Sequence, residues 1–324
     1  MTNITIGKPD ENDSPPTEKE LRTLQMYAGE LNWLATRTRP DLAYYTSIIA
    51  STCTKYSAWT LELCTKVFRY LASTPDVGIV ITRTGKESEF VVWTDAGYGG
   101  LGTKSQTGLV IWWGGVVLTW RSARQGTAAL STCEAEVTAA ATGFQVAEGM
   151  RFLLQEWGIQ LDPTILLIDN RSALLIGENG GTWRTRYFAV RSARIQQEHM
   201  GGNIILRYCP TKMMVADALT KMASTEVIKM LRDTMEGKGP GIPGNSENVS
   251  PEQNTWWAAR VLAVPIETHQ RRLNLWRDLK TRGRKVGFAI PSDWWKDLLN
   301  HTGDFTGNWN TTTTSEGAPV GGSV

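Results

Sequence analysis

Four short runs of β-branched and aromatic residues, Ile79–Thr82, Phe90–Thr94, Leu109–Trp113 and Val116–Trp120, follow one another with only glycine or polar turns between them. Runs of this length and composition suit strands, and Gly114-Gly115 between the last two predicts a tight hairpin. The chain before them has another period. From Glu18, Leu21, Leu24, Met26, Tyr27, Leu31 and Leu34 recur at three- and four-residue steps, which predicts a helix. Pro40 suits the first turn of a second helix carrying Leu42, Tyr45, Ile48 and Ile49. Ser57 suits the N-cap of a third, with Leu61, Cys64, Val67, Phe68 and Leu71 on one face and Thr74-Pro75 at its end. After the strands come a long helix from Ser131 to Trp157 with Thr132 as cap, a buried strand Ile165–Ile168, a helix near 171–178 and an Arg-rich helix near 185–200. The strand Ile204–Tyr208 and a helix around 214–221 complete the unit. Strands, helix, strand, helices, strand and helix in that order mean α/β with a mixed sheet.

This grammar divides the 324 residues into a disordered linker over 1–17, a helical segment over 18–83, an α/β domain over 84–235, a Gly/Pro/Ser-rich flexible linker over 236–255, a Trp-rich helical segment over 256–300 and a disordered tail over 301–324. No apolar run reaches the roughly 18 residues a membrane span needs, and the first residues are polar rather than signal-like. The four cysteines, Cys53, Cys64, Cys133 and Cys209, form no CxxC pair, which argues against zinc or a disulfide framework and for a reducing compartment. A net charge of +2 excludes a uniformly basic coat, so any nucleic-acid surface is a local patch.

Acidic residues stand where carboxylates are unusual. Asp95 ends an apolar strand, Glu136 lies in the opening turns of the long helix, Asp169 terminates Ile165–Ile168, and Asp217 starts an otherwise apolar helix. A lone strand-end aspartate is most often a turn or capping residue, and Glu134 reads as a solvated or capping glutamate. Four such acids in order read differently. Converging carboxylates repel one another unless cations neutralise them, and hard oxygen donors without histidine or cysteine select Mg²⁺ or Mn²⁺. A pair of such ions is the clamp used in phosphodiester cleavage.

Further blocks carry a resemblance: Leu31-Asn-Trp-Leu-Ala-Thr-Arg-Thr-Arg-Pro-Asp-Leu-Ala43, Arg69-Tyr-Leu-Ala-Ser-Thr74, Thr94-Asp-Ala-Gly-Tyr-Gly99, Ser105-Gln-Thr-Gly108, Leu118-Thr-Trp-Arg-Ser122, Ala129-Leu-Ser-Thr-Cys-Glu-Ala-Glu136, Ile168-Asp-Asn-Arg-Ser-Ala173 and Ala216-Asp-Ala-Leu-Thr-Lys221. With them, residues 20–235 resemble the end of the reverse transcriptase and the RNase H domain of copia-type retrotransposon Pol polyproteins. The resemblance implies an RNase H-like mixed five-stranded sheet flanked by helices and preceded by a helical reverse-transcriptase tail. It implies an endoribonuclease that cleaves the RNA strand of RNA–DNA hybrids with two Mg²⁺ (or Mn²⁺) ions, held by Asp95, Glu136, Asp169 and Asp217. Glu136 is preferred to Glu134 because Glu136-Val-Thr-Ala-Ala140 matches the family's glutamate and small-residue helix. It further implies the hybrid and the upstream reverse transcriptase as partners, no membrane, and a place in cytoplasmic virus-like particles or the nucleus rather than secretion.

The chain departs from the family at several positions. A second acid usual after the first aspartate is Gly97 here, the Lys-His pair is Arg186-Tyr187, later acid and histidine positions are Ala189 and Ala193, and no histidine lies between Pro210 and Ala216. No Tyr-Xaa-Asp-Asp signature is present, so polymerisation is not expected. Arg184, Arg186, Arg191 and Arg194 fall in an acid-free stretch; on a helix, 184, 191 and 194 share a face that suits a phosphate backbone or, equally, a solvated basic face. Trp183 beside them suits stacking, and Asn170 and Ser105 in the family blocks are expected nucleic-acid contacts. The alternative function is a catalytically decayed or co-opted nucleic-acid-binding remnant. An integrase or exonuclease of the same superfamily fits the Ser131–Glu136 and Ala216–Lys221 blocks poorly.

Overall fold

The computed structural model describes residues 4–81, 85–99 and 104–243. The tail 301–324, the Trp-rich segment 256–300 and the linker beyond 243 lie outside the described residues. Three helices come first: α1 (Glu18–Arg37), α2 (Ala43–Thr52) and α3 (Ser57–Ser73). α1 starts at a capping box in which Thr17 and Glu20 satisfy each other's backbone N–H groups. The three helices meet in one core of Leu31, Leu42, Tyr45, Ile49, Cys64 and Val67, joined by Leu63, whereas Met26 and Leu61, expected on these faces, are exposed.

Beyond them, alternation along β1 (Phe90–Gly97) sends Phe90 and Val92 to one face of a sheet and Val91 and Trp93 to the other. Both faces are covered, which is why this strand opens as a continuous apolar run. β2 (Gln106–Trp113) and β3 (Val116–Arg124) add antiparallel, and their turn puts Gly114 and Gly115 at φ 55° and 100°, conformations open chiefly to glycine. A long helix α4 (Thr132–Glu156), β4 (Thr164–Ile168), α5 (Arg171–Asn179), α6 (Ala189–Met200) and β5 (Ile204–Tyr208) follow, and β4 and β5 run parallel to β1. The order β3-β2-β1-β4-β5, antiparallel on one side of β1 and parallel on the other, is the mixed five-stranded sheet expected from the sequence. Parallel neighbours need crossovers, and α4 supplies the one from the β1–β3 meander to β4.

Phe90, Val92, Leu109, Leu166 and Ile168 pack under Val137, Ala140 and Phe144 of α4 and Ile195 of α6. On the other face, Val91, Trp93, Val110 and Leu167 meet a 3-10 turn (Val215–Leu219) and α7 (Thr225–Met235) through Val215, Leu219, Leu231 and Met235. Burying each large apolar side chain here contributes roughly 1.5–3 kcal/mol. Small residues then set how closely the layers approach. A Cβ on Gly143 would stand 2.4 Å from Thr94 Cγ2, and one on Gly108 would stand 2.8 Å from the Ala216 carbonyl. Gly143 thus lets α4 settle against β1, and Gly108 lets the 3-10 turn settle against β2.

The helical segment is tied to the sheet unit by buried polar groups. The Arg39 guanidinium grips both Asp41 oxygens at 2.9 and 2.8 Å, and the Tyr70 hydroxyl donates to Asp41 at 2.6 Å. Arg232 of α7 donates to the Tyr70 oxygen at 2.5 Å. Burial, reinforced by the Asp41 charge, raises the Tyr70 phenol above its ordinary range, so it stays a donor. Trp120 Nε1 also donates to the Ala35 carbonyl at 2.6 Å.

Several local expectations differ from the structure. Residues 79–81 form no strand: Val80 N–H donates singly to the Met235 carbonyl at 2.9 Å, and Ile79 packs against the α7 face. Residues 4–17 precede the first helix without regular structure, yet they are pinned rather than a free linker. Ile4 is buried, Trp59 Nε1 donates to the Gly7 carbonyl at 2.7 Å, and Asp13 accepts from the Trp59 N–H at 2.8 Å. Asp13 therefore does the capping of α3 expected of Ser57. Ser131, not Thr132, caps α4, accepting from the Glu134 N–H at 3.1 Å. The Arg-rich stretch splits into a 3-10 turn (Trp183–Phe188) and α6, and the late helix at 214–221 is a 3-10 turn ending at Leu219.

Candidate active site

Parity along β1 decides where Asp95 points. It follows Val91 and Trp93 onto the sheet face covered by the 3-10 turn, and it pairs in register with Gly108. Asp169 is the first residue past β4, on the same parity as Leu167, and Asp217 sits in the 3-10 turn itself. One carboxylate oxygen from each of Asp95, Asp169 and Asp217 lies within 4.8 Å of the others. Glu136 reaches toward them from α4, with its Oε2 buried and without a hydrogen-bond partner. Glu134 is used elsewhere: its carboxylate accepts the Leu130 N–H at 2.7 Å at the helix start. The structure thus brings Glu136, not Glu134, toward the three aspartates.

This arrangement is electrostatically costly without cations. Burial first, then the charges of Asp95 and Asp169, push Glu136 up to about 9 from an ordinary 4.5. Asp95 is pushed up to about 7, mainly by burial; a hydrogen bond from the Thr220 hydroxyl opposes the rise, and the Asp217 and Asp169 charges add to it. Asp169 is raised as well, by burial and then by Asp217, while the Thr211 hydroxyl at 3.3 Å and Lys221 hold it down. Lys221 pairs with Asp217 at 2.8 Å.

The donor set fits a hard divalent cation. It is all oxygen, it is crowded, and among the described residues two of its buried oxygens, Glu136 Oε2 and Asp217 Oδ1, have no hydrogen-bond partner, the second meeting the Lys221 ammonium in an ion pair. Cys209 is close enough to feel Asp169 and Asp217, but burial first and then those charges push its thiol up to about 12. It stays protonated and offers no soft ligand.

The residues expected to meet nucleic acid divide. Arg184 and Arg186 are exposed on the 3-10 turn beside Trp183, a residue 72% exposed whose ring centroid lies 5.8 and 5.5 Å from their guanidinium carbons. Arg191 is exposed on α6. Arg194 is held in the protein instead, paired with Glu148 at 3.0 Å and Glu198 at 2.9 Å. Asn170 caps α5, its side chain accepting from the Ala173 N–H at 3.0 Å. Ser105 is 1% exposed, so it faces the interior. Sequence reasoning passed over Thr220 and Lys221. A lysine four residues after a suspected ligand was the available signal. The missing acid at Gly97 also has a steric reason, since a Cβ there would stand 2.3 Å from the Thr220 carbonyl.

No family model matches the chain. The Transposon Ty1-JR1 Gag-Pol polyprotein of Saccharomyces cerevisiae is 27% identical over 229 residues, 68% of this chain and 13% of the polyprotein. The Truncated transposon Ty1-A Gag-Pol polyprotein of the same yeast is 27% identical over the same length, 19% of its own. The relatives are copia-type Gag-Pol polyproteins. The chain spans less than a fifth of the length of these two relatives. Among solved structures, LC11-RNase H1 in complex with an RNA/DNA hybrid is 18% identical with TM-score 0.31, over 41% of this chain and 94% of that one. The foamy viral protease-reverse transcriptase dRH in complex with double-stranded DNA is 15% identical with TM-score 0.32, over 64% of this chain and 36% of that one.

Proposed function

We propose that the RNase H-like domain of this retrotransposon Pol relative hydrolyses the RNA strand of RNA–DNA hybrids, and that Asp95, Glu136, Asp169 and Asp217 hold the two divalent ions, Mg²⁺ or Mn²⁺, on which it depends. The observation that carries this reading is the gathering of three aspartates from β1, the end of β4 and the 3-10 turn, with a buried, unpartnered glutamate oxygen beside them. Nothing in the packing of the domain requires so many buried acids together; a ligand of opposite charge does.

When bound, such ions supply a nucleophilic water at neutral pH and neutralise charge on the scissile phosphate. The protein's part is orientation. Rigid β1 and the Thr220 hydroxyl fix Asp95, the glycine-seated 3-10 turn fixes Asp217, and α4 holds Glu136 close. Arg184, Arg186 and Arg191 give an exposed cationic surface for phosphates, and Trp183 offers a face for a sugar or base. The backbone contacts would carry no base sequence. The helices α1–α3 would join this domain to the reverse transcriptase that precedes it in a longer polyprotein, acting in virus-like particles or the nucleus.

A 5′-labelled RNA–DNA hybrid, single-stranded RNA of the same sequence and the DNA duplex separate the alternatives. Cutting of the hybrid alone, in Mg²⁺ and not in chelator, is expected. Tight hybrid binding without cutting means a co-opted binding remnant.

A further inference from the structure

The cluster already contains one cation, and it is the protein's own. Lys221 lies four residues after Asp217 and places its ammonium 2.8 Å from Asp217 Oδ1. The two ends of that pair differ sharply: the Asp217 side chain is 5% exposed and the Lys221 side chain 54%. The anchor of the lysine is equally uneven. Its neighbour Thr220 is buried, donates its hydroxyl to Asp95 and packs its backbone onto Gly97, so the point from which the lysine stem departs is fixed. Beyond that point a flexible four-carbon stem carries a compact, hydrated charge.

Charge balance then dictates what the lysine does in each state. Without metal, three aspartates share a small volume and the Lys221 ammonium, paired with Asp217, is the cation against them. A divalent ion held by Asp217 must take the place of this ammonium, because the ion and the lysine would use the same carboxylate and repel each other. Once displaced, the lysine finds its new anion in the substrate backbone.

We propose that Lys221 is an exchanging counter-ion: it occupies Asp217 while the site lacks metal, and moves to a phosphate of the bound hybrid when divalent ions load. This rests on the metal-site reading above and adds to it a positioning residue whose contact depends on metal.

Two readouts on the full chain test it, with Lys221→Met and Lys221→Arg beside wild type. The first is the Mg²⁺ concentration that gives half of the melting-temperature rise, measured without nucleic acid. Removing the competitor in Lys221→Met should lower that concentration by about two- to fivefold, the worth of a half-exposed ion pair. Lys221→Arg keeps a competing charge and should lower it less. The second is the salt dependence of binding to a cleavage-resistant hybrid whose RNA carries 2′-O-methyl groups. With Mg²⁺ present, Lys221→Met should lose about one phosphate contact, a slope change near 0.9; in chelator its slope should match wild type. A wild type whose melting ignores Mg²⁺ overturns the metal site and the exchange together. A wild type that responds, beside a Lys221→Met with the same half-point or the same slope in Mg²⁺, overturns the exchange alone. Lys221→Arg behaving like wild type in both readouts shows that charge, not an altered fold, is what the methionine removes.

Discussion

Glu136→Gln should stabilise the ion-free protein while abolishing its chemistry. In the fold Glu136 keeps its proton to about 9, whereas an unfolded glutamate loses it near 4.5. The native state therefore binds a proton that the unfolded chain releases. Stability from this group is complete below about 4.5 and is lost as pH rises toward 9. By pH 7 to 8 the loss amounts to about 3–5 kcal/mol, at 1.36 kcal/mol for each pH unit crossed. Asp95, pushed up to about 7 from 3.8, adds a second decline across that lower window. Glutamine keeps the shape, carries no charge and can donate toward the neighbouring carboxylates, so it should recover about 3 kcal/mol at pH 8, or about 6–12 °C in melting temperature for a protein this size. The assay is urea and thermal denaturation in chelator at pH 5 and pH 8. Wild type should weaken between the two and Glu136→Gln much less; saturating Mg²⁺ should restore wild type and help the variant little. A variant no more stable than wild type at pH 8 in chelator refutes the buried-carboxylate argument, as does a wild type whose stability does not fall.

Other positions give separable outcomes. Asp41→Ala leaves the buried Arg39 guanidinium without its bidentate carboxylate and should cost about 3–5 kcal/mol in chemical denaturation. Gly108→Ala drives a Cβ against the Ala216 carbonyl and Leu219 and should cost about 1–3 kcal/mol, with a loss of cleavage beyond what the unfolded fraction explains because Asp217 shifts with its turn. Arg184→Gln with Arg186→Gln should reduce the salt slope of hybrid binding by up to about two contacts at 0.9 each, whereas Arg194→Gln should leave it unchanged because that arginine pairs with Glu148 and Glu198.

The sequence announced the acids because each interrupts an apolar strand or helix start, a break in pattern that needs no structure to see. It also put Asp95 and Asp169 at strand ends; the face each takes follows from a parity of two only once the structure assigns the core. Spacing along α4 could not separate Glu134 from Glu136; that choice came from family pattern, and the hydrogen bond from the Leu130 N–H shows physically why Glu134 turns away. Features that depend on contacts distant in sequence were hidden. Nothing local says that Asp13 would cap α3, that Glu148 would claim Arg194, or that Thr220 would fill the space of an acid at Gly97. Ile79–Thr82 misled for the opposite reason: its β-branched residues satisfy strand propensity, but over residues 79–81 the chain finds no neighbouring strand and Val80 N–H bonds to the Met235 carbonyl instead.

The most direct test of the central claim is single-turnover cleavage of a 5′-labelled RNA–DNA hybrid by wild type and Asp95→Asn, at saturating protein and in Mg²⁺. Asparagine keeps the size and can still accept from Thr220, but it removes one negative charge from the three-aspartate cluster. Wild type is expected to cut the RNA strand. Asp95→Asn, melting cooperatively and binding the hybrid, is expected to lose at least a hundredfold in rate, on the order of the 2.7–4 kcal/mol that one preorganised charge-stabilising group contributes. Equal rates for the two proteins would contradict the account, because a carboxylate at the centre of a working metal site cannot be dispensable.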